Sequence, residues 1–441
     1  MNHTLTSYQE TLDYLFEQLP MYQRQGKAAF KKDLTNIKLL CEKLGNPHDE
    51  FNSVHIAGTN GKGTLAHLIA GLYQTRGLKV GLYTSPHYVD FRERIKLNGE
   101  YISEEAVVNF VNENKAHFEE IKPSFFEITV AMAFDYFAKE EVDIAIIETG
   151  LGGRLDSTNI IRPDISVITN ISFDHQAMLG DTLPKIAAEK AGIIKPDVPV
   201  VIGETQQEVV SVFEEKAKAV GAEITFADQN YRAELKKEVA GDSVFTIYRN
   251  GKACYNDIRV NLQGPFQEKN IATLFQCIES LNDLDLFKMI REYDIRNGLP
   301  KLRELTKYQG RWQVLQEKPT VLCDSAHNES GLTYAMEALD KMTFNELHIV
   351  LGMVNDKEVE KMLQFFPKEA TYYFCKADIP RGLDAVVLEG KAAGLGLKGL
   401  VCNSVKEALD AAKEKANTKD LIYVGGSTFV VAEVLAAENK N

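Results

Sequence analysis

The sequence predicts an α/β protein in two parts: a mainly parallel sheet with a small antiparallel annex, then a second, Rossmann-like α/β domain. Three observations predict it. Short Val- and Ile-rich runs alternate with helix-length segments between residues 51 and 220, the pattern of a parallel sheet covered by helices. From about Ala233 to Val260 polar and apolar residues alternate around Arg249-Asn250-Gly251-Lys252, which reads as antiparallel hairpins. A second strand and helix series follows the charged stretch 296–307.

In the first part, strands are expected at 51–57, 79–83, 143–148, 164–170 and 198–202. Helices are expected at 64–76, 125–139, 183–194 and 208–220, where apolar residues recur at helical spacing. In the second part, strands are expected at 312–315, 321–323, 347–351, 371–375 and 421–424. Asn297-Gly298-Leu299-Pro300 breaks the preceding helix, so the boundary is placed within 298–306 and the chain divides into 1–298 and 299–441.

A chain of 441 residues is long enough for two or three cores. With 44% hydrophobic and 26% charged residues and no low-complexity tract, the whole chain is expected to fold. A net charge of −13 works against general affinity for nucleic acid or anionic membrane. The six cysteines are scattered, without the close pairs that hold zinc or form a redox disulfide, and read as reduced core residues. Met-Asn-His-Thr-Leu-Thr-Ser at the start lacks the basic and apolar regions of a secretory signal, and no run reaches the ~18 apolar residues of a membrane span. The expected location is the cytoplasm.

The segment His55-Ile-Ala-Gly58-Thr59-Asn60-Gly61-Lys62-Gly63-Thr64 lies between an expected strand and an expected helix. Backbone N–H groups and the positive helix end make such a turn a phosphate cradle. Gly58, Gly61 and Gly63 let the backbone approach phosphate, Lys62 can neutralise its oxygens, and the Thr64 hydroxyl can reach phosphate or its magnesium. Two residues separate Gly58 from Gly61, and Gly63 stands between Lys62 and Thr64, unlike the common loop. A Gly-rich turn with a solvated lysine is the alternative for this motif alone.

Ser85, Glu148 and His175 each follow the carboxyl end of an expected parallel strand, the edge where open α/β sheets bind ligands. A hydroxyl, a carboxylate and an imidazole beside ATP phosphates can hold magnesium. Alternatively, Glu148 caps a loop and His175 bonds a carbonyl.

The loop Gly58-Thr-Asn-Gly-Lys-Gly-Thr64 resembles the ATP loop of the Mur ligase superfamily, especially of folylpolyglutamate synthases. Thr84-Ser85-Pro86-His87, Glu148-Thr-Gly-Leu-Gly-Gly-Arg-Leu-Asp156, Asp174-His175-Gln-Ala-Met-Leu-Gly180 and Glu189-Lys190-Ala-Gly-Ile-Ile194 extend the resemblance. Gly310-Arg311-Trp312, Asp324-Ser-Ala-His327-Asn328, Asp356-Lys357 after Met353, and Gly425-Gly-Ser-Thr-Phe429 continue it. The family's Asp-Gly-Ala-His-Asn has Ser325 in place of its glycine here.

The resemblance implies a P-loop ATPase-like first domain and two magnesium ions, one near Ser85 and Glu148 and one shared by Glu148 and His175. It further implies that Lys190 is carbamylated; without it, Lys190 reads as an exposed helix residue. Arg311, Asp324 and His327 are implied to reach ATP across the interdomain cleft, and Asn270 to contact adenine unless it only caps its helix. The implied reaction is ATP-dependent joining of L-glutamate to a folate, or to dihydropteroate, through an acyl phosphate. Arg92 and Arg94 can meet substrate carboxylates, and Tyr88, Phe91 or Phe126 can stack on a pterin. Asp156 is a candidate base for the amine or else a loop cap. A monomer is the expected state. A Mur-type peptide or other amide ligase and a noncatalytic P-loop nucleotide switch remain open as alternatives.

Overall fold

The computed structural model describes residues 4–17, 33–239, 241–355 and 358–438; Asp356 and Lys357 lie outside the described residues. Eight strands build the larger sheet: β1 (Ser53–Ala57), β2 (Val80–Tyr83), β3 (Ile95–Leu97), β4 (Glu100–Tyr101), β5 (Ile144–Glu148), β6 (Ile165–Ile168), β7 (Val200–Ile202) and β8 (Ile224–Phe226). Their order is β4-β3-β2-β5-β1-β6-β7-β8. All pairings are parallel except β2 with β3 and β3 with β4. Every residue of β2, β5, β6 and β7 is buried. Burial on both faces explains why these strands read as continuous runs rather than alternating ones.

Several boundaries differ from expectation. The helix expected over 64–76 spans Lys62–Thr75, because Gly61 at φ +83° already caps it; Lys62 and Gly63 therefore belong to its first turn. The helix expected over 183–194 ends as Leu183–Lys190 and tightens into a 3-10 turn, Ala191–Ile193. The β3–β4 hairpin turns on Asn98-Gly99, both with positive φ. Asn-Gly is a strong hairpin signal, and the expected elements omit it.

The annex consists of β9 (Tyr231–Val239), β10 (Asp242–Arg249) and β11 (Lys252–Val260), all antiparallel. Its Phe245, Ile247 and Ile258 share a core with Ile271, Leu274 and Phe275 of the helix Gln267–Asp283. Leu299, Leu302 and Tyr308 enter the same core beside Leu65 and Leu72. Only after Tyr308 does the chain pass to the second sheet.

That sheet contains β12 (Gln313–Glu317), β13 (Thr320–Cys323), β14 (Leu347–Leu351), β15 (Thr371–Phe374), β16 (Lys398–Val401) and β17 (Leu421–Gly425). The order is β12-β13-β17-β14-β15-β16, parallel apart from the β12–β13 pair. All four residues of the edge strand β16 are exposed, so no buried face imposes an alternating pattern on it. Among the described residues, no helix is long and apolar enough to cross a membrane.

Candidate active site

The Gly-rich loop leaves the central strand β1 and is clamped against the end of β6. Thr59 N–H donates to the Asn170 carbonyl at 2.8 Å, and the Thr169 hydroxyl donates to the Asn60 carbonyl at 2.6 Å. Gly58 has φ +146°, and a Cβ there would lie 1.8 Å from Thr169 Oγ1. Gly58→Ala is therefore expected to displace the loop and lower ATP turnover by about 100-fold, the scale on which misplaced reacting groups cost rate. Steady-state ATP hydrolysis checks this, with circular dichroism confirming an intact fold.

Lys62 folds over the loop, its Nζ donating to the Gly58 and Thr59 carbonyls at 3.0 and 3.1 Å. Lys190, the last residue of its helix, donates to the same Gly58 carbonyl at 2.7 Å. It is buried rather than exposed, a correction that the curl of the chain after Lys190 explains. Burial, reinforced by the nearby Lys62 charge, pulls the Lys190 amine down to about 7. Thr64 departs from its expected direction: its hydroxyl pairs with the Tyr308 hydroxyl at 2.7 Å.

Two acidic groups flank Lys62. Glu148 stands opposite Ile56 in the β1–β5 register, so it emerges beside the loop. Its Oε2 accepts the Ser85 N–H at 3.1 Å. Burial raises the Glu148 carboxyl above the ordinary range, against the pull of Lys62, the Ser85 N–H, Arg311 and Lys96. On the other side, His175 sits 3.6 Å from Asp174. Burial lowers the imidazole pKa, opposed by Asp174. For Asp174, burial pushes upward, but His175, His327, Lys62 and Lys190 outweigh it and hold the carboxyl below its usual value.

The second domain reaches this cluster through Asn328. Its Oδ1 caps the helix Glu329–Leu339 by accepting Gly331 N–H, while its Nδ2 donates to Asn60 Oδ1 at 3.0 Å and Asp174 Oδ2 at 3.4 Å. The neighbouring His327 has Nδ1 2.9 Å from the Ser325 carbonyl oxygen. Asp324 fixes the turn by accepting Trp312 N–H at 2.8 Å and Ala326 N–H at 2.9 Å. Burial lowers the Arg311 pKa, but Tyr88, Asp324, Tyr308 and Glu148 outweigh it and keep the guanidinium firmly charged.

Asn270 is not the cap of its helix; Phe266 holds that position. Its Oδ1 would lie 2.5 Å from a Cβ on Gly61, which has φ +83°. A cleft open to solvent lies alongside, lined by Gly61, Asn170, Phe266, Lys269, Asn270 and Tyr334 among others. The Phe266 and Tyr334 rings, one from each domain, are 5.2 Å apart.

The residues expected to meet substrate have the following partners in the structure. Arg92 forms ion pairs with Asp90 at 2.7 Å and Glu104 at 3.3 Å, so its charge is already compensated. Arg94 is buried, donates from Nε to His87 Nδ1 at 2.7 Å, and lies over the Phe125 ring. Phe91 is core. Tyr88 bridges the domains, with its hydroxyl 2.9 Å from Ser325 Oγ and its ring against Gly310. Phe126 is half-buried, its ring covering Gly150 after β5. Asp156 accepts Leu151 N–H, Thr158 N–H and the Thr158 hydroxyl, the bonds of a loop cap.

Asp174 and Asn328 stood inside recognisable motifs without an assigned role; the Asp-His and His-Asn pairs were the available signal. Thr169 and Tyr308 had none, since each acts through contacts with residues more than 100 positions away.

The Mur ligase middle domain matches residues 56–277, and the Mur ligase glutamate ligase domain matches 310–428. A Bacillus subtilis dihydrofolate synthase/folylpolyglutamate synthase is 32% identical over 97% of this chain and 98% of its own length. A probable bifunctional folylpolyglutamate synthase/dihydropteroate synthase of Haloferax volcanii is 33% identical over 97% of this chain, which spans 50% of that longer protein. The Yersinia pestis bifunctional folylpolyglutamate synthase/dihydrofolate synthase, solved with AMPPNP and a Mn ion, superposes with TM-score 0.83 at 26% identity, covering 100% of both chains.

Proposed function

The chain belongs to the folylpolyglutamate synthase/dihydrofolate synthase family of Mur ligases, and from that premise we propose that it uses ATP to join L-glutamate to folates. The reading covers both activities of its relatives: extension of a tetrahydrofolate tail and synthesis of dihydrofolate from dihydropteroate. The observation that carries it is the junction of Asn328 with Asn60 and Asp174. This junction brings the second domain to the phosphate loop, which a simple nucleotide switch does not require.

The residues present fit a divalent cation. Glu148 is a buried carboxylate whose surrounding cations do not fully offset its desolvation, and on the other flank of the loop Asp174 and His175 offer oxygen and nitrogen donors 3.6 Å apart. Ser85 and Glu148 would hold one magnesium ion, and Glu148 with His175 a second. Bound magnesium supplies positive charge to the phosphate oxygens. Carbamylation of Lys190 would convert a second ammonium crowded onto the Gly58 carbonyl into an anion beside that shell. The amine's depressed pKa supports this, because only the neutral amine takes up carbon dioxide.

In the reaction, loop N–H groups and Lys62 orient the terminal phosphate of ATP, while Asn270 borders the cleft suited to adenine. The substrate carboxylate attacks the γ-phosphoryl group, giving an acyl phosphate and ADP; the glutamate amine then displaces phosphate to leave an amide. Arg311 adds positive charge from the second domain, and His327 presents its imidazole to the same site. Apposition of the two domains excludes the water that would hydrolyse the acyl phosphate. We place this activity in the cytoplasm and in a monomer, since both halves of the proposed site come from one chain.

Glutamate-dependent phosphate release, measured separately with dihydropteroate, tetrahydrofolate and a muramyl dipeptide, tests the substrate class. Release with both folate acceptors is expected. Release with the muramyl compound alone overturns the assignment, and turnover indifferent to every acceptor favours a nucleotide switch.

A further inference from the structure

On the pole of the second sheet away from the phosphate loop, three potential ligands converge. One oxygen of Glu346, one ring nitrogen of His348 and one oxygen of Asp420 all lie within 4.8 Å of one another. His348 is the second residue of β14, and Asp420 immediately precedes the parallel strand β17. Both therefore sit at the amino ends of strands, roughly 13 Å of strand length from the opposite edge.

The His348 imidazole is fully buried, and its Nε2 has no hydrogen-bond partner. That atom lies 3.7 Å from Asp420 Oδ2, too far for a good hydrogen bond. Two ligands bound at about 2.1 Å in tetrahedral geometry stand roughly 3.4 Å apart, and a modest opening of the angle gives the separation seen. We propose that Glu346, His348 and Asp420 bind one divalent transition-metal ion, with Zn²⁺ the best match to this donor set.

The surroundings support it. The His348 Nδ1 lies 3.2 Å from the Tyr373 hydroxyl, so Nδ1–H can donate there and leave the Nε2 lone pair for metal. Asp420 is held in place by N–H groups of Asn417 at 2.6 Å and Glu346 at 3.2 Å. Backbone bonds between Asn345 and Lys419 and between Leu421 and Glu346 fasten the two segments together. Glu346 is exposed, which gives an ion access and leaves room for water as a fourth ligand.

The full-length protein, stripped with chelator and kept in excess Mg²⁺ to occupy the catalytic cleft, should be titrated with ZnCl₂ by calorimetry. One zinc per chain is expected. Glu346→Ala should weaken binding by at least about tenfold without altering ATP turnover, and His348→Gln should abolish it. Co²⁺ should give visible absorption bands with the parent protein and not with His348→Gln. Undiminished zinc binding in Glu346→Ala, or no binding by the parent protein, overturns the site. Because Glu346 is on the surface, its variant decides the matter even if His348→Gln fails to fold.

Discussion

Lys190→Ala is expected to reduce glutamate-dependent ADP formation by about 100-fold or more, the upper range for groups that orient a metal shell. Partial recovery with added small carboxylates is expected to accompany the loss. Near-normal turnover in the variant without such additives would sink the proposed carbamate. The expectation rests on the position of the amine: it is buried, shares the Gly58 carbonyl with Lys62, and has a pKa of about 7. At pH 8 about nine-tenths of such an amine is neutral, against less than about 1% of an ordinary lysine. Activity of the parent enzyme should therefore rise through pH 7 and respond to bicarbonate, while the variant should do neither. The sign for stability is the same. Between about 7 and 10.5 the unfolded chain holds a proton on Lys190 that the folded, unmodified chain has released, so folding becomes more favourable as pH rises across that window.

Glu148→Gln is expected to lower turnover by about 100- to 1,000-fold, comparable with removal of one preorganised electrostatic group from an active site. The magnesium concentration for half-maximal activity should rise. An unchanged magnesium dependence would exclude Glu148 as a ligand. The variant should fold as well as the parent protein, or better. Burial raises the Glu148 carboxyl pKa, which means that its charged form is poorly solvated in the apoprotein. A neutral amide removes that desolvation penalty, so lost activity cannot be attributed to a lost fold. Thermal unfolding in the absence of nucleotide separates the two effects.

The comparison with known proteins sharpens these expectations by fixing the class of reaction, but the relevant arrangement follows from the strand order. In the larger sheet β1 lies between β5 and β6, so the loop after β1 has Glu148 on one flank and Thr169 through His175 on the other. The central position of β1 thus turns three separate strand ends into one cluster around Lys62.

The sequence by itself determined the alternating α/β plan, the antiparallel annex, the phosphate loop and the strand-end placement of Ser85, Glu148 and His175. These rest on local physics: hydrophobic periodicity marks buried strands, and glycine permits the backbone that a tight turn requires. The tertiary structure alone decided which side chains remain available within the cluster. Asp156 is occupied by N–H and hydroxyl donors, Arg92 by Asp90 and Glu104, and Thr64 by Tyr308. It also decided the ionisation of Lys190, whose sequence neighbours read as those of a solvated helix residue, and the meeting of Asn60 with Asn328. Their partners are distant in sequence, and both desolvation and charge coupling depend on what is near in space; no local pattern carries that information.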